Sequence, residues 1–183
     1  MDENAPKFVG RSMQIVPALC LDLDGTVRYS KSGEFINKPD DIALFDGVET
    51  KLWEYRNKGW LICAVSNQGG VAYGLKTPQA CDDEISRMCA LFERNPFHLI
   101  KCCYHHEKGK VMPFNFRSLL RKPDIGMLAL IEVEAFEAGY IVDWSRSLFV
   151  GDRPEDEQCA LRASISFEWA NDFFGREAKS VGA

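Results

Sequence analysis

Apolar runs of strand length recur along the chain at residues 18–21, 60–65, 99–104, 148–150 and 165–167, and between most of them the apolar positions change to helical spacing. Val48, Leu52 and Tyr55 share one helical face, with Asp46-Gly47 before them and Gly59 as a stop. Thr77-Pro78 predicts an N-cap followed by proline at the first helical position, leading into Cys81, Ile85, Met88 and Phe92. A third helix is expected from about Pro123, with Leu128, Ile131, Ala135 and Ala138 inward and Gly139 ending it, and a fourth begins near Pro154. Strand and helix in alternation, with strands that are apolar throughout, predict an α/β fold built on a parallel sheet covered on both faces. Residues 1–14 are polar and carry no period, so they read as a flexible lead-in to one domain.

In a sheet of that kind, ligands gather at the carboxyl ends of the strands. Asp22 and Asp24 follow the first apolar run, Ser66 the second and Gly151-Asp152 the fourth, so three chemically able segments are expected at one edge.

Composition narrows the setting more than the chemistry. At 183 residues, 46% of them hydrophobic, the chain fits a single buried core. Its net charge of −5 gives no overall positive field to draw it to nucleic acid or an anionic membrane. No apolar run approaches the roughly 20 residues of a membrane span, and residues 1–14 lack the basic start and apolar centre of a signal peptide. Seven cysteines, several inside apolar runs, read as reduced core thiols. The expectation is a soluble, cytoplasmic protein.

Four short strings carry the chemistry: DLDGT from Asp22 to Thr26, SNQ from Ser66 to Gln68, RKPD from Arg121 to Asp124 and GDRPED from Gly151 to Asp156. Alone, each has a plain structural reading as a strand-end turn or a solvated helix start. Together they supply what hydrolysis of a phosphate ester through a covalent aspartyl intermediate needs. A carboxylate such as Asp22 approaches a phosphate dianion only if a cation offsets their repulsion. An oxygen-rich site of Asp22, Asp152, a main-chain carbonyl and waters suits the octahedral demands of Mg²⁺, whereas zinc prefers nitrogen or sulfur. Ser66 and Asn67 open a donor-rich turn, Asn67-Gln68-Gly69-Gly70, able to hold a phosphoryl oxygen. Lys122 adds a point charge against phosphate and nucleophile, and Arg121 is a candidate contact for a second anionic or hydroxyl group.

On these motifs the chain resembles the haloacid dehalogenase-type phosphatases over residues 19–174. DLDGT, SNQGGVAYG, RKPDIGM and VGDRPED are most similar to the small, nearly capless branch that includes heptose bisphosphate phosphatase, histidinol phosphatase and polynucleotide 3′-phosphatase. The resemblance implies a Rossmann-like, three-layer α/β/α fold with little or no cap domain. It implies Asp22 as nucleophile and Asp24 as general acid, then base, and Mg²⁺ held by the side chains of Asp22 and Asp152 and the carbonyl of Asp24. Ser66 and Lys122 would grip the phosphoryl group, and Asp156 would brace the metal loop.

The chain departs from the branch at the zinc loop of its bacterial members. Cys103-Tyr104-His105 matches the first half of that loop, but Ser118 and Leu120 stand where the later cysteines would align, so the four-ligand shell is not completed from the pattern. The loop of residues 106–120 is instead expected to be held by packing of Met112, Phe114 and Phe116. Its Lys108, Lys110 and Arg117 make it one candidate substrate lip; a polar flap over residues 27–38, with Arg28 and Tyr29, is the other.

The reading that follows is a Mg²⁺-dependent phosphomonoesterase for a small phosphorylated metabolite, a sugar phosphate or bisphosphate. A polynucleotide 3′-phosphatase is the alternative, and only under it is nucleic acid a partner. A catalytically silent phosphate-binding module is the rival from another class; it has no need for a paired nucleophile and acid.

Overall fold

The computed structural model of the chain describes residues 12–176. Residues 1–11 of the lead-in lie outside the described residues, and Gln14 opens the first strand. The order is β1 (Gln14–Val16), β2 (Ala18–Leu21), β3 (Arg28–Ser30), β4 (Ile42–Leu44), α1 (Val48–Asn57), β5 (Leu61–Asn67), α2 (Pro78–Leu91), β6 (Leu99–Cys103), α3 (Gly126–Glu137), β7 (Tyr140–Val142), β8 (Leu148–Gly151), α4 (Pro154–Arg162), β9 (Ser166–Trp169) and α5 (Ala170–Phe174).

Five strands form the central sheet in the order β6-β5-β2-β8-β9, every neighbour parallel. Because side chains alternate across a strand, one strand feeds both faces. On β2, Leu19 and Leu21 join the cluster containing Val48 and Leu52 of α1, Met88 of α2 and Phe173 of α5. Ala18 and Cys20 join the opposite cluster, with Met127, Leu128, Ile131 and Ala135 of α3 and Cys159 and Ala160 of α4. Both clusters are apolar, which is why β2, at the centre of the sheet, is apolar and buried at every position. The result is the expected Rossmann-like α/β arrangement of helices on both sides of a parallel sheet.

The helix boundaries follow local chemistry. The Thr77 hydroxyl accepts from Ala80 N at 3.1 Å, with Pro78 next in the chain, so α2 starts where that pair requires. Helix α3 begins at Gly126, three residues past the expected Pro123, because residues 121–125 are spent on a turn closed by Asp124 N to Arg121 O. It ends before Gly139, which has φ +95°.

Two small pairs flank the central sheet, and neither was foreseen. β1 runs parallel to β7, and β3 pairs antiparallel with β4. The β3–β4 pair corrects the polar-flap reading: Tyr29 is exposed, but Arg28 is wholly buried. Asp41 ties the flap together, accepting from Ser30 Oγ at 3.0 Å and from Ser32 N and Oγ at 2.8 Å each. The loop of residues 106–120 needs a correction as well. Phe114 packs on Tyr104 and His105, and Phe116 on His105, but Met112 is 74% exposed and holds nothing.

Ile62 is the second residue of β5 and has no exposed surface. Ile62→Ala should cost about 2–5 kcal/mol in urea unfolding, while Leu161→Ala on the solvent side of α4 should stay within about 0.5 kcal/mol.

Candidate active site

After β2 the chain builds outward through β5 and β6, then returns to add β8 and β9 on the other side. The strand order therefore reverses at β2, and the crevice at its carboxyl end is where such a sheet leaves room for a ligand. Asp22 is the first residue beyond β2. Its amide donates to Val150 O at 3.0 Å, which fixes it against the end of β8. Ser66 and Asn67 end β5, and Gly151 ends β8. Lys122 comes from the loop before α3, and its main chain is clamped to β5. Asn67 Oδ1 accepts from Lys122 N and Asn67 Nδ2 donates to Lys122 O, each at 3.0 Å.

Three oxygens surround the buried Lys122 ammonium. It donates to Asp22 Oδ1 at 2.5 Å and to Val65 O at 2.8 Å, and pairs with Asp156 Oδ1 at 2.7 Å. Asp156 is itself fully buried at the start of α4, where its other oxygen accepts from Arg153 N at 3.1 Å. Asp22, Asp152 and Asp156 bring carboxylate oxygens within 4.8 Å of one another, forming a mixed group with one exposed member, Asp152.

Two glycines make this approach feasible. Gly25 has φ +94°, and a Cβ there would overlap the Asp152 carboxylate; a Cβ on Gly151 would overlap that of Asp156. A cradle kept open for carboxylates, with oxygen donors alone, fits a hard divalent cation such as Mg²⁺.

The electrostatics differ sharply between neighbours. Burial pushes the Asp22 carboxyl up to about 7, with Lys122 opposing and Asp156 and Asp24 adding to the rise. Protein atoms crowd Asp152 on one side, although the residue is exposed by area, and that loss of water together with the Asp156 charge pushes it up to about 6. Burial alone would lower Lys122, but the Asp22 and Asp156 charges outweigh it and hold the ammonium well above its ordinary range. Asp24 moves the other way. Burial would raise it, and Arg28 at 2.7 Å with Gln68 at 2.6 Å more than reverses the effect.

The remaining candidates take distinct places. Ser66 Oγ is buried at the floor and accepts from Gln68 Nε2 at 2.9 Å. Asn67 directs its side chain at Lys122 rather than into the crevice. Arg121 lies over Gly69 and donates to His105 O at 3.2 Å. Cys103 is buried, its Sγ 4.0 Å from His105 O, and burial raises the Cys102 thiol to about 12. On the far side of Asp152 lies a cavity of about 320 Å³ lined by Trp169, Ala170, Asn171, Asp172 and Arg176.

The motif reading passed over Lys76, Glu84 and Arg176, and it gave Arg28 only as part of a polar flap and Gln68 only as part of a donor-rich turn. Arg176 donates to Thr26 O at 2.7 Å while stacking on Phe45 and Phe174. For Glu84 a signal existed. It is three residues after Cys81 and four before Met88, hence on the buried face of α2.

Comparison with known proteins bears on the family and the fold. The family model described as polynucleotide kinase 3 phosphatase matches residues 18–174. The D-glycero-beta-D-manno-heptose-1,7-bisphosphate 7-phosphatase of Yersinia pestis is 34% identical over 83% of this chain and 78% of its own length. That of Escherichia coli K12 is 31% identical over 82% and 76%. Among solved structures, a HAD-like phosphatase from Mesorhizobium loti superposes with a TM-score of 0.71 at 31% identity, covering 85% of this chain and 73% of that one. The D,D-heptose 1,7-bisphosphate phosphatase of B. bronchiseptica, complexed with magnesium and phosphate, gives 0.66 at 24% identity, covering 85% and 79%, and so shares the fold.

The raised carboxyls of Asp22 and Asp152 bind protons more tightly folded than unfolded. Their contribution to stability is full below about pH 4, the unfolded carboxylate range, and is lost as pH rises through about 6 and about 7. In EDTA, Asp22→Asn should therefore raise Tm over the wild type by a margin that widens from pH 5 to pH 8; a constant margin refutes this. Lys122→Met, which leaves two buried carboxylates uncompensated, should cost about 3–5 kcal/mol at neutral pH in urea unfolding, and adding Asp22→Asn should recover part of the loss.

Proposed function

Since the chain belongs to the polynucleotide kinase 3 phosphatase family and is a haloacid dehalogenase-like phosphatase, we propose that it removes one phosphate from a small sugar bisphosphate through a phosphoaspartyl intermediate on Asp22. The observation that carries this reading is the buried Lys122 ammonium joined to both Asp22 and Asp156 beside Asp152. A nucleophilic carboxylate and a phosphoryl-holding cation there share one contact.

Asp22 Oδ attacks phosphorus as the bond from phosphorus to the leaving oxygen breaks, and Asp24, once protonated, gives that proton to the oxygen. In the second half, water attacks phosphorus, Asp24 takes a water proton, and the bond to Asp22 breaks to release inorganic phosphate. Lys122 and Ser66 hold the phosphoryl oxygens, and the turn after Asn67 adds main-chain donors. Side chains of Asp22 and Asp152 and the carbonyl of Asp24 would hold Mg²⁺, with Asp156 bracing the loop. Bound there, the ion supplies the positive charge that offsets repulsion between carboxylate and phosphate.

A sugar bisphosphate is favoured by the named activity of relatives 31–34% identical over most of their length. Arg121, over Gly69 at the crevice, is the cation for the substrate's second anionic group. A polynucleotide 3′-phosphate is the second reading, supported by the description of the matching family. Seven unpaired cysteines suit a reducing, cytoplasmic setting, and no helix among the described residues is long and apolar enough to cross a membrane.

The purified protein should release phosphate from D-glycero-beta-D-manno-heptose 1,7-bisphosphate with Mg²⁺ and not in EDTA. Asp22→Asn should lose on the order of 10³-fold or more in kcat while keeping its circular dichroism spectrum. Preference for a 3′-phosphorylated oligonucleotide by orders of magnitude establishes the second reading. No turnover of either ester, with phosphate still bound, leaves a silent binding module.

A further inference from the structure

Behind Asp24 lies a set of buried charges that the hydrolytic steps leave unused. Arg28 and Glu84 have no exposed surface. Arg28 Nε donates to Asp24 Oδ1 at 2.7 Å, its Nη1 donates to Glu84 O at 3.3 Å, and its Nη2 lies 4.0 Å from Glu84 Oε2. The Lys76 ammonium donates to that same Glu84 oxygen at 2.7 Å, to Gln68 Oε1 at 3.2 Å and to Ile36 O of the flap at 2.9 Å. Gln68 then closes the circuit, since its Nε2 donates to both Asp24 Oδ2 and Ser66 Oγ.

Such burial is expensive, and apolar side chains of the same shape would serve stability as well or better. Nη2 of Arg28 and Oε1 of Glu84 even lack hydrogen-bond partners. What the arrangement does achieve is directional. Each oxygen of Asp24 has its own donor, and the donor on Oδ2 is the one that also touches Ser66.

We propose that Arg28 is the positioning residue of Asp24: it takes Oδ1 and thereby turns Oδ2 toward the Ser66 side of the crevice, with Glu84 and Lys76 holding Arg28 and Gln68 in register from behind. This rests on Asp24 acting as the acid toward the leaving oxygen. Arg28 touches neither substrate nor phosphorus. Its effect is confined to the step in which the leaving group needs a proton, so its loss is felt by an alkyl phosphate and hardly by an aryl phosphate whose phenolate departs unprotonated.

The test is kcat/KM, which reports steps through the first irreversible one, measured on glucose 6-phosphate or the preferred sugar phosphate and on 4-nitrophenyl phosphate. Asp24→Asn should lose about 10²–10⁴-fold on the sugar ester and less than about 10-fold on the aryl ester. Arg28→Lys, which keeps the charge but not the Nε contact, should reproduce the split at about 10–100-fold against less than about 3-fold. Glu84→Gln, which keeps shape and a contact to Lys76, should show a smaller split of the same sign. Equal losses on both esters, or none on either, from Arg28→Lys overturn the proposal; if that variant does not fold, Glu84→Gln decides by the same criterion. Absence of a split in Asp24→Asn refutes the acid reading itself, so the two failures are distinguishable.

Discussion

The Lys122 ammonium between Asp22 and Asp156 is the contact on which the site is built. It joins three separate parts of the chain: the end of β2, the loop before α3 and the start of α4. Each would be costly alone. A buried lysine tends to lose its proton and a buried carboxylate to gain one, and their mutual attraction opposes both tendencies. The fold supplies the closeness that neutralisation needs. Val65 O caps the ammonium from β5, Asn67 fixes the Lys122 main chain at both polar atoms, and Gly151 lets Asp156 press against the end of β8.

That closeness follows from topology. A parallel sheet that reverses order at β2 leaves its widest gap beside the strand it reverses on, and the residues just past the neighbouring strand ends face into it. The apolar strands do two jobs at once. They fill both clusters of the core, and they deliver Asp22, Ser66 and Asp152 to a common rim.

Much of this was legible because strand ends are marked in the sequence by an abrupt change from apolar to polar. The starts of all five central strands and of α1, α2 and α4 fall within a residue of their expected places, since a Thr-Pro pair or a glycine forces a boundary locally. What escaped notice depends on distant partners. Arg28 stands in a run of polar residues that reads as solvent-facing, and its burial becomes tolerable only where Asp24, four residues before it, is joined by Glu84, 56 residues away. Glu84 was hidden for the complementary reason: a glutamate on an apolar helix face is read past in favour of Ile85 beside it. The β1–β7 pair joins segments more than 120 positions apart, with three residues in each strand, too short to carry a period. Met112 is exposed although its apolar side chain suggests packing, because apolar atoms are common on protein surfaces.

The two charge groups on either side of Leu23 differ in balance, and that difference bears on why a cation is needed at one and not the other. Asp22, Asp152 and Asp156 face a single ammonium, leaving two negative charges uncompensated when all are ionised. Asp24 and Glu84 face Arg28 and Lys76, which leaves none. In the first group burial raises the carboxyls of Asp22 and Asp152, the excess of negative charge adds to the rise, and a divalent ion would cancel that excess without protons. The second needs nothing from outside, so it can hold Asp24 in one orientation whether or not the first is occupied. Adjacent carboxylates two residues apart are thereby given separate electrostatic surroundings, one open to an incoming charge and one closed to it. In that separation a short strand-end motif can supply two different kinds of chemistry.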